Sequence, residues 1–281
     1  MSRKSLVLVP SGGLANRMRA IVSAVHLCRT EGAPLRVVWF KDWGMQARFT
    51  DVFELPQVEG VTVNEASLWD YLLNDRPRQH NLYVSKWPQR WYYSGGVIAE
   101  QNITPLKQQG FDFHAWLRGR CYMSCYQVFG HFPISLYTEV LRPSAAVLRL
   151  TEQFVNDFAP YTVGMHIRRT DNQASIIKSP TSLFIETGQR ELAAHPQLRI
   201  FLATDSEQVK QEFRQVFGSE RIVTSSSAAT RSSCDGIRAG MADMLALART
   251  QHIYGSAGSS FSEMASYISG HPEKLTILEK S

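Results

Sequence analysis

The densest chemistry in this chain lies in the stretch YTVGMHIRRTD, residues 161–171. Side chains alternate along a strand, so His166 and Arg168 share one face while Met165 and Ile167 take the other. Both polar groups then emerge together where the apolar run ends. Arg168 and Arg169 are planar donor forks suited to two-pronged contact with a diphosphate. Asp171 is placed to orient one arginine or to cap the next element. A lone histidine in a strand is more often a satisfied core residue. His-x-Arg-Arg-x-Asp closing a buried strand favours a ligand.

Three further stretches follow apolar runs. Ser11-Gly12-Gly13-Leu14-Ala15-Asn16-Arg17 lets the backbone turn tightly and approach a ligand at a helix N-terminus. It fits neither GxGxxG nor GxxxxGK[ST], and a plain structural turn explains it as well. Ala203-Thr204-Asp205 ends another run, and Asp205 or Ser206 would serve as a helix cap there. In GSAGSSFSE, residues 255–263, Ser260-x-x-Glu263 fits a capping box. Gly258 permits close backbone approach, and Ser259, Ser260 and Ser262 add hydroxyls beside free N–H groups, an anion cradle by its chemistry.

These residues need elements to hold them. Apolar runs at Ser5–Pro10 and Leu35–Phe40 flank an amphipathic stretch from Leu14 to Arg29, in which Met18, Ile21, Val22, Val25 and Cys28 fall at helical spacing. This β-α-β opening implies a parallel sheet. Residues 42–142 are irregular and aromatic, with Leu82–Ser85 and Gly119–Tyr122 as candidate short strands. A helix is then expected near Ser144–Phe158, with strands at Thr162–Ile167, Leu198–Ala203, Arg221–Thr224, Gln251–Tyr254 and Leu275–Leu278. The pattern predicts an α/β protein of two doubly wound domains, 1–142 and 143–281. A length of 281 residues suits two units of roughly 140 each. Hydrophobic residues at 44% and charged residues at 20% allow each unit a core.

No apolar run reaches the ~20 residues of a membrane span. Met1–Lys4 leads straight into a strand, so no signal peptide is read and a cytoplasmic protein is expected. Net charge is +5, from 30 basic and 25 acidic residues with no like-charge block, which suits a small anionic ligand. Cys121 and Cys125 lack the partners of a zinc set, and buried free thiols are the reading for Cys28, Cys121, Cys125 and Cys234.

The order Gly12-Gly13-Leu14-x-Asn16-Arg17, His166-x-Arg168-Arg169-x-Asp171, Thr204-Asp205, then Asp243 ahead of Ser259-Ser260-Phe261-Ser262 resembles the GDP-fucose fucosyltransferases, nearest the α-1,6 and nodulation enzymes. The resemblance implies a GT-B fold, two Rossmann-like domains facing across a cleft, with an acceptor-side N-terminal domain and a nucleotide-sugar-binding C-terminal one. It implies inverting transfer of fucose from GDP-fucose to a glycan, with no metal or other cofactor. By the same resemblance Arg168 and Arg169 bind the β-phosphate, His166 and Asp243 read guanine, and Ser259 and Ser260 lie against the phosphates. A buried Asp243 in the apolar stretch Met241–Leu247 needs a partner, and the guanine N1–H and N2–H donors would supply one.

The chain departs from the α-1,6 enzymes at Ile176, where they place a glutamate proposed as the base. Asp42, directly after the run Leu35–Phe40, is the alternative proton acceptor; a plain turn aspartate before Trp43-Gly44 is the blander reading. Asp171, beside two arginines, suits an anchor better than a base. The aromatic stretch Trp69–Trp116 offers faces on which acceptor sugars stack, and core packing accounts for many of those rings equally well. A nucleotide-sugar binder without turnover has the same pocket and no base. A nucleic-acid binder is the weaker rival, because the basic residues are interleaved with acids and no recognition module is present.

Overall fold

Leu6, Leu8 and Val9, each 1% exposed or less, make the run behind Ser5 a central strand in the computed structural model, which describes residues 4–42, 44–74, 86–169, 173–225 and 230–280. The chain forms two compact units, Met1–Pro143 and Ser144–Ser281. The first holds β1 (Ser5–Pro10), β2 (Leu35–Trp39), β3 (Val61–Glu65), β4 (Gly96–Ile98) and β5 (Arg120–Cys125). All pairings are parallel, in the order β3-β2-β1-β5-β4. The chain leaves β1 towards β3, then returns on the other side through β4 and β5. The strand order therefore reverses between β1 and β5, the place where open α/β sheets bind ligands at their carboxyl ends.

The helix Leu14–Thr30 buries Met18, Ile21, Val22, Val25 and Cys28 as the spacing predicts. It also buries Arg17, which the spacing did not foresee.

The second unit holds β6 (Thr162–Ile167), β7 (Arg199–Thr204), β8 (Ile222–Val223), β9 (His252–Ser256) and β10 (Leu275–Leu278). Its order is β10-β9-β6-β7-β8, again all parallel, so the reversal falls between β6 and β9. Val163, Met165 and Ile167 pack with Phe184, Ile200, Leu202 and Phe213 on one face of the sheet. Gly164 and His166 take the opposite face. A Cβ on Gly164 would lie 2.7 Å from the Leu247 side chain, so glycine lets the helix Cys234–Ala248 lie close against β6.

Both units are α/β with parallel sheets, the class the alternation predicts. Boundaries shift by a residue or two: β7 starts at Arg199, β8 is only two residues long, β9 runs on to Ser256, and the helix after Pro143 is Ala145–Val155, capped by Ser144. Gly119–Tyr122 becomes the longer β5, while Leu82–Ser85 lies outside the described residues. The edge strand β3 is half-buried at best, so it lacks the apolar alternation that would have marked it. Among the described residues no helix is long and apolar enough to cross a membrane.

Candidate functional site

Parallel pairing sets His166 of β6 opposite Gly255 of β9. The end of β6 and the loop after β9 thus converge at the strand-order reversal. The Ser256 hydroxyl donates to the His166 carbonyl at 3.1 Å and accepts from the Arg168 N–H at 3.4 Å. The His166 ring stacks on Phe261, centroids 4.6 Å apart, and its Nδ1 lies 3.4 Å from the Ser259 hydroxyl. Burial, reinforced by Arg168, pushes the imidazole down to about 4, so at neutral pH it is an uncharged ring.

Ser259 caps the helix Ser260–Ile268 by accepting from the Phe261 N–H. The predicted box opening at Ser260 does not form, because the helix starts one residue earlier than that reading needs; Glu263 accepts instead from the Tyr267 hydroxyl. Gly258 has φ +67° and open space where a Cβ would stand. The cradle of Gly258, Ser259 and Ser260 therefore adjoins His166, with Arg168 half-buried beside it.

The two arginines divide. Arg169, which the resemblance gives to the β-phosphate beside Arg168, has its donors turned to neighbouring groups of the protein. Its Nη1 donates to the Arg168 carbonyl at 2.7 Å, its Nη2 to the Ser179 carbonyl at 2.8 Å, and its Nε and Nη2 both reach the Thr181 hydroxyl. A guanidinium with most of its donors committed is a backbone clamp. Its own N–H donates to Asp205 at 2.8 Å. Asp205 is thus used on the turn after β6 while Ser206 caps the helix Glu207–Phe217, and Thr204, closing β7, accepts from the Ser206 N–H. Asp171 lies outside the described residues.

Sequence reasoning missed Ser179. It is fully buried, its hydroxyl donates to Leu278 and accepts from the Ala257 N–H, and its carbonyl holds Arg169. One serine thereby ties β10, the loop after β9 and the arginine turn. A Ser-Pro-Thr sequence reads as an ordinary loop and gives no signal of this.

Asp243 is 3% exposed within the helix Cys234–Ala248, and among the described residues its Oδ1 has no hydrogen-bond partner. Burial pushes its carboxyl up to about 7, opposed by the positive charge of Lys210. Lys210 is itself buried and donates to Glu207 and to the Ser225 carbonyl. An unmatched buried carboxylate oxygen costs the fold free energy unless something with N–H donors fills the site.

In the first unit Gly12 has φ +79°, and a Cβ there would lie 3.0 Å from the Asn16 side chain. Gly13 precedes the helix as a cap with no side-chain bond. Arg17 donates from Nε to the Gly12 carbonyl at 3.0 Å, from Nη1 to the Phe40 carbonyl at 2.7 Å and from Nη2 to Asp42 Oδ2 at 2.7 Å, and it stacks over Trp39. Asp42 Oδ1 accepts the Gly44 N–H at 2.8 Å. Both Asp42 oxygens are thus engaged and the residue is 4% exposed, the setting of the turn aspartate that is the blander of its two readings. Trp69, Trp87 and Trp91 are each more than three-quarters exposed, whereas Tyr93 and Phe113 are core. Cys28, Cys121 and Cys125 are buried free thiols; burial pushes Cys28 and Cys125 up to about 12. Among the described residues no group of three or more His, Cys, Asp or Glu is arranged to hold a metal ion.

No family model matches the chain. A stretch of 69 residues is 38% identical to O-fucosyltransferase 24 of Arabidopsis thaliana, covering 24% of this chain and 12% of that protein. Similarity to solved structures spans nearly all of the chain. Fucosyltransferase NodZ from Bradyrhizobium aligns with TM-score 0.63 at 15% identity, over 94% of this chain and 93% of that one. POFUT1 in complex with GDP-fucose aligns with TM-score 0.60 at 11% identity, over 98% of each chain. A variant of Arabidopsis thaliana FUT1 in complex with GDP aligns with TM-score 0.64 at 13% identity, over 99% of this chain and 70% of that one. The fold of this chain is similar to that of these solved fucosyltransferases, the fold that the resemblance implied.

Proposed function

We propose that the chain is an inverting glycosyltransferase that moves fucose from GDP-fucose to a glycan acceptor without a metal ion. The observation that carries the reading is the convergence at the ends of β6 and β9. Arg168, the hydroxyls of Ser259 and Ser260 and the N-terminus of the helix Ser260–Ile268 lie beside a buried, neutral His166. Positive charge and N–H donors at a helix start suit a diphosphate leaving group. The unmatched Asp243 oxygen suits guanine, whose N1–H and N2–H are adjacent donors. Two similar structures, POFUT1 and the Arabidopsis thaliana FUT1 variant, are complexes with GDP-fucose and GDP, which supports the same donor class here.

Thermal shift across nucleotides is the test. GDP and GDP-fucose should raise the Tm more than UDP, ADP or their sugars; a ligand at ~100 times its Kd adds about 2.7 kcal/mol. A preference for UDP removes the guanine assignment. Loss of turnover in EDTA, restored by magnesium or manganese, removes the metal-free mechanism.

A further inference from the structure

The stretch FDFHAWLRG, residues 111–119, puts aromatic rings, a carboxylate and a guanidinium just ahead of β5. Asp112 caps the short helix Phe113–Trp116, its Oδ1 accepting the Ala115 N–H at 2.9 Å. Phe113 and Leu117 are core, whereas Phe111, edge-on to Phe113, and Trp116 stay half-buried. Parallel pairing of β4 with β5 brings the residues before them, Gly95 and Gly119, together at the amino edge of the first sheet. A Cβ on Gly95 would lie 2.8 Å from the Gly119 carbonyl carbon, and one on Gly96 2.8 Å from Trp116 Nε1. Glycine alone lets the two backbones and the indole come this close. Between them lies an open groove of about 860 Å³, lined by the rings of Phe111 and Trp116, by Asp112 and Arg118, and by Ser94. That volume is within the range of ligand pockets, roughly 300–1,000 Å³.

The polar groups of the groove have capacity left. Asp112 spends one oxygen on its cap, and Arg118 donates from Nε to the Ala115 carbonyl at 2.6 Å. Among the described residues Asp112 Oδ2, Arg118 Nη1 and Nη2, Trp116 Nε1 and the Ser94 hydroxyl have no hydrogen-bond partner.

This set selects its ligand. An anion drawn to Arg118 also meets Asp112, and a cation drawn to Asp112 also meets Arg118. A lipid tail would strand both charges. A peptide strand needs backbone partners, and here the Gly95 N–H and the Gly119 carbonyl are already paired, with the Arg120 carbonyl and the Ser5 N–H. A carboxylate only accepts and a guanidinium only donates, so one ligand serves both when it carries adjacent groups that do either. The hydroxyls of a sugar do so, and the C–H face of its ring covers an aromatic side chain.

We propose that this groove holds a pyranose unit of a neutral oligosaccharide, with Trp116 and Phe111 against the ring and Asp112 and Arg118 on its hydroxyls. The groove belongs to the first unit alone and requires no nucleotide.

The test places the fluorescently labelled full chain on an array of neutral, sialylated and sulfated oligosaccharides, then titrates it by calorimetry with the neutral oligosaccharide held most strongly. Trp116→Ala and Arg118→Ala should each weaken that binding by about tenfold or more. Asp112→Asn, which keeps a cap on the helix, should weaken it several-fold. Arg118→Ala and Asp112→Asn should unfold at the wild-type midpoint, because both side chains are exposed, and these two decide the matter if Trp116→Ala does not fold. An array on which wild type holds no neutral oligosaccharide overturns the proposal, as does retention confined to the acidic glycans. Binding undiminished in Arg118→Ala and Asp112→Asn overturns it too, and so does affinity that falls only where the unfolding midpoint falls.

Discussion

At the carboxyl end of β1 an arginine and an aspartate close on one another; at the carboxyl end of β6 one arginine is absorbed by the backbone, a second stands half-buried beside a serine cradle, and a nearby helix carries a carboxylate oxygen with no partner among the described residues. Both places are glycine- or serine-bearing turns at a strand-order reversal, and topology alone would nominate both as ligand sites. Hydrogen-bond satisfaction separates them. Arg17 and Asp42, both buried, complete each other, which is what a scaffold needs. Asp243 keeps one oxygen without a partner among the described residues, which is what a site needs.

The sharpest way to break this comparison is to remove one member of each arrangement. Arg17→Ala should destabilise the protein by about 3–5 kcal/mol, because it strands a buried carboxylate, and should leave GDP affinity nearly unchanged. Denaturant unfolding with and without GDP reads this directly. A GDP affinity that collapses while stability holds would make the first turn a ligand site after all.

Arg168→Ala should behave in the opposite manner, with a loss of about 2–4 kcal/mol in GDP binding and little change in the unfolding midpoint, read by calorimetry. Arg169→Ala should instead lower stability first, because it releases the Ser179 and Arg168 carbonyls and the Thr181 hydroxyl together. If the two variants lose GDP affinity equally with no difference in stability, the division between clamp and ligand is wrong.

The pH dependence of stability sharpens the second region. His166 is pushed from 6.5 to about 4 by burial, and Asp243 from 3.8 to about 7. Between about 4 and 6.5 the unfolded chain protonates the histidine and the folded one does not, so this group adds stability as pH rises. Between about 4 and 7 the folded chain keeps the Asp243 proton that the unfolded chain has lost, so that group removes stability as pH rises. In wild type the two slopes oppose. His166→Asn should expose a falling slope and Asp243→Asn a rising one. Asp243→Asn should also gain on the order of a few kcal/mol at pH 8 while losing GDP affinity. Unfolding curves at several pH values measure both; slopes that match wild type in the two variants would mean that neither group is held as the structure has it.

The smallest expected effect is at the cap. Ser259→Ala should cost about 1 kcal/mol of stability, because the Phe261 N–H loses its acceptor. A GDP loss well beyond that would show that the hydroxyl serves the ligand more than the helix.

Much of this was legible in the chain. The apolar runs that become β1 and β6 have boundaries readable to the residue, since a buried parallel strand is a short apolar block, and β10, although an exposed edge, keeps three apolar residues in four. The placement of His166, Arg168 and Ser259 at strand ends followed from those runs and from the rule that ligands sit at carboxyl edges. Edge strand β3 and the three-residue β4 were not legible, because neither carries enough buried side chains to set a pattern.

The sequence by itself determined the fold class, the motifs and the edges on which they lie, because these depend on local periodicity and chain order. Tertiary structure alone decided which polar groups are already satisfied. Arg17 and Asp42 are separated by 25 positions and Ser11 and Glu100 by 89, and whether such a pair closes on itself depends on where strands bring it. Arg168 and Arg169 are neighbours in the chain and alike in type, yet the turn after β6 aims one guanidinium into the backbone of the loop at Ser179–Thr181, a choice made by side-chain direction and packing that no spacing encodes.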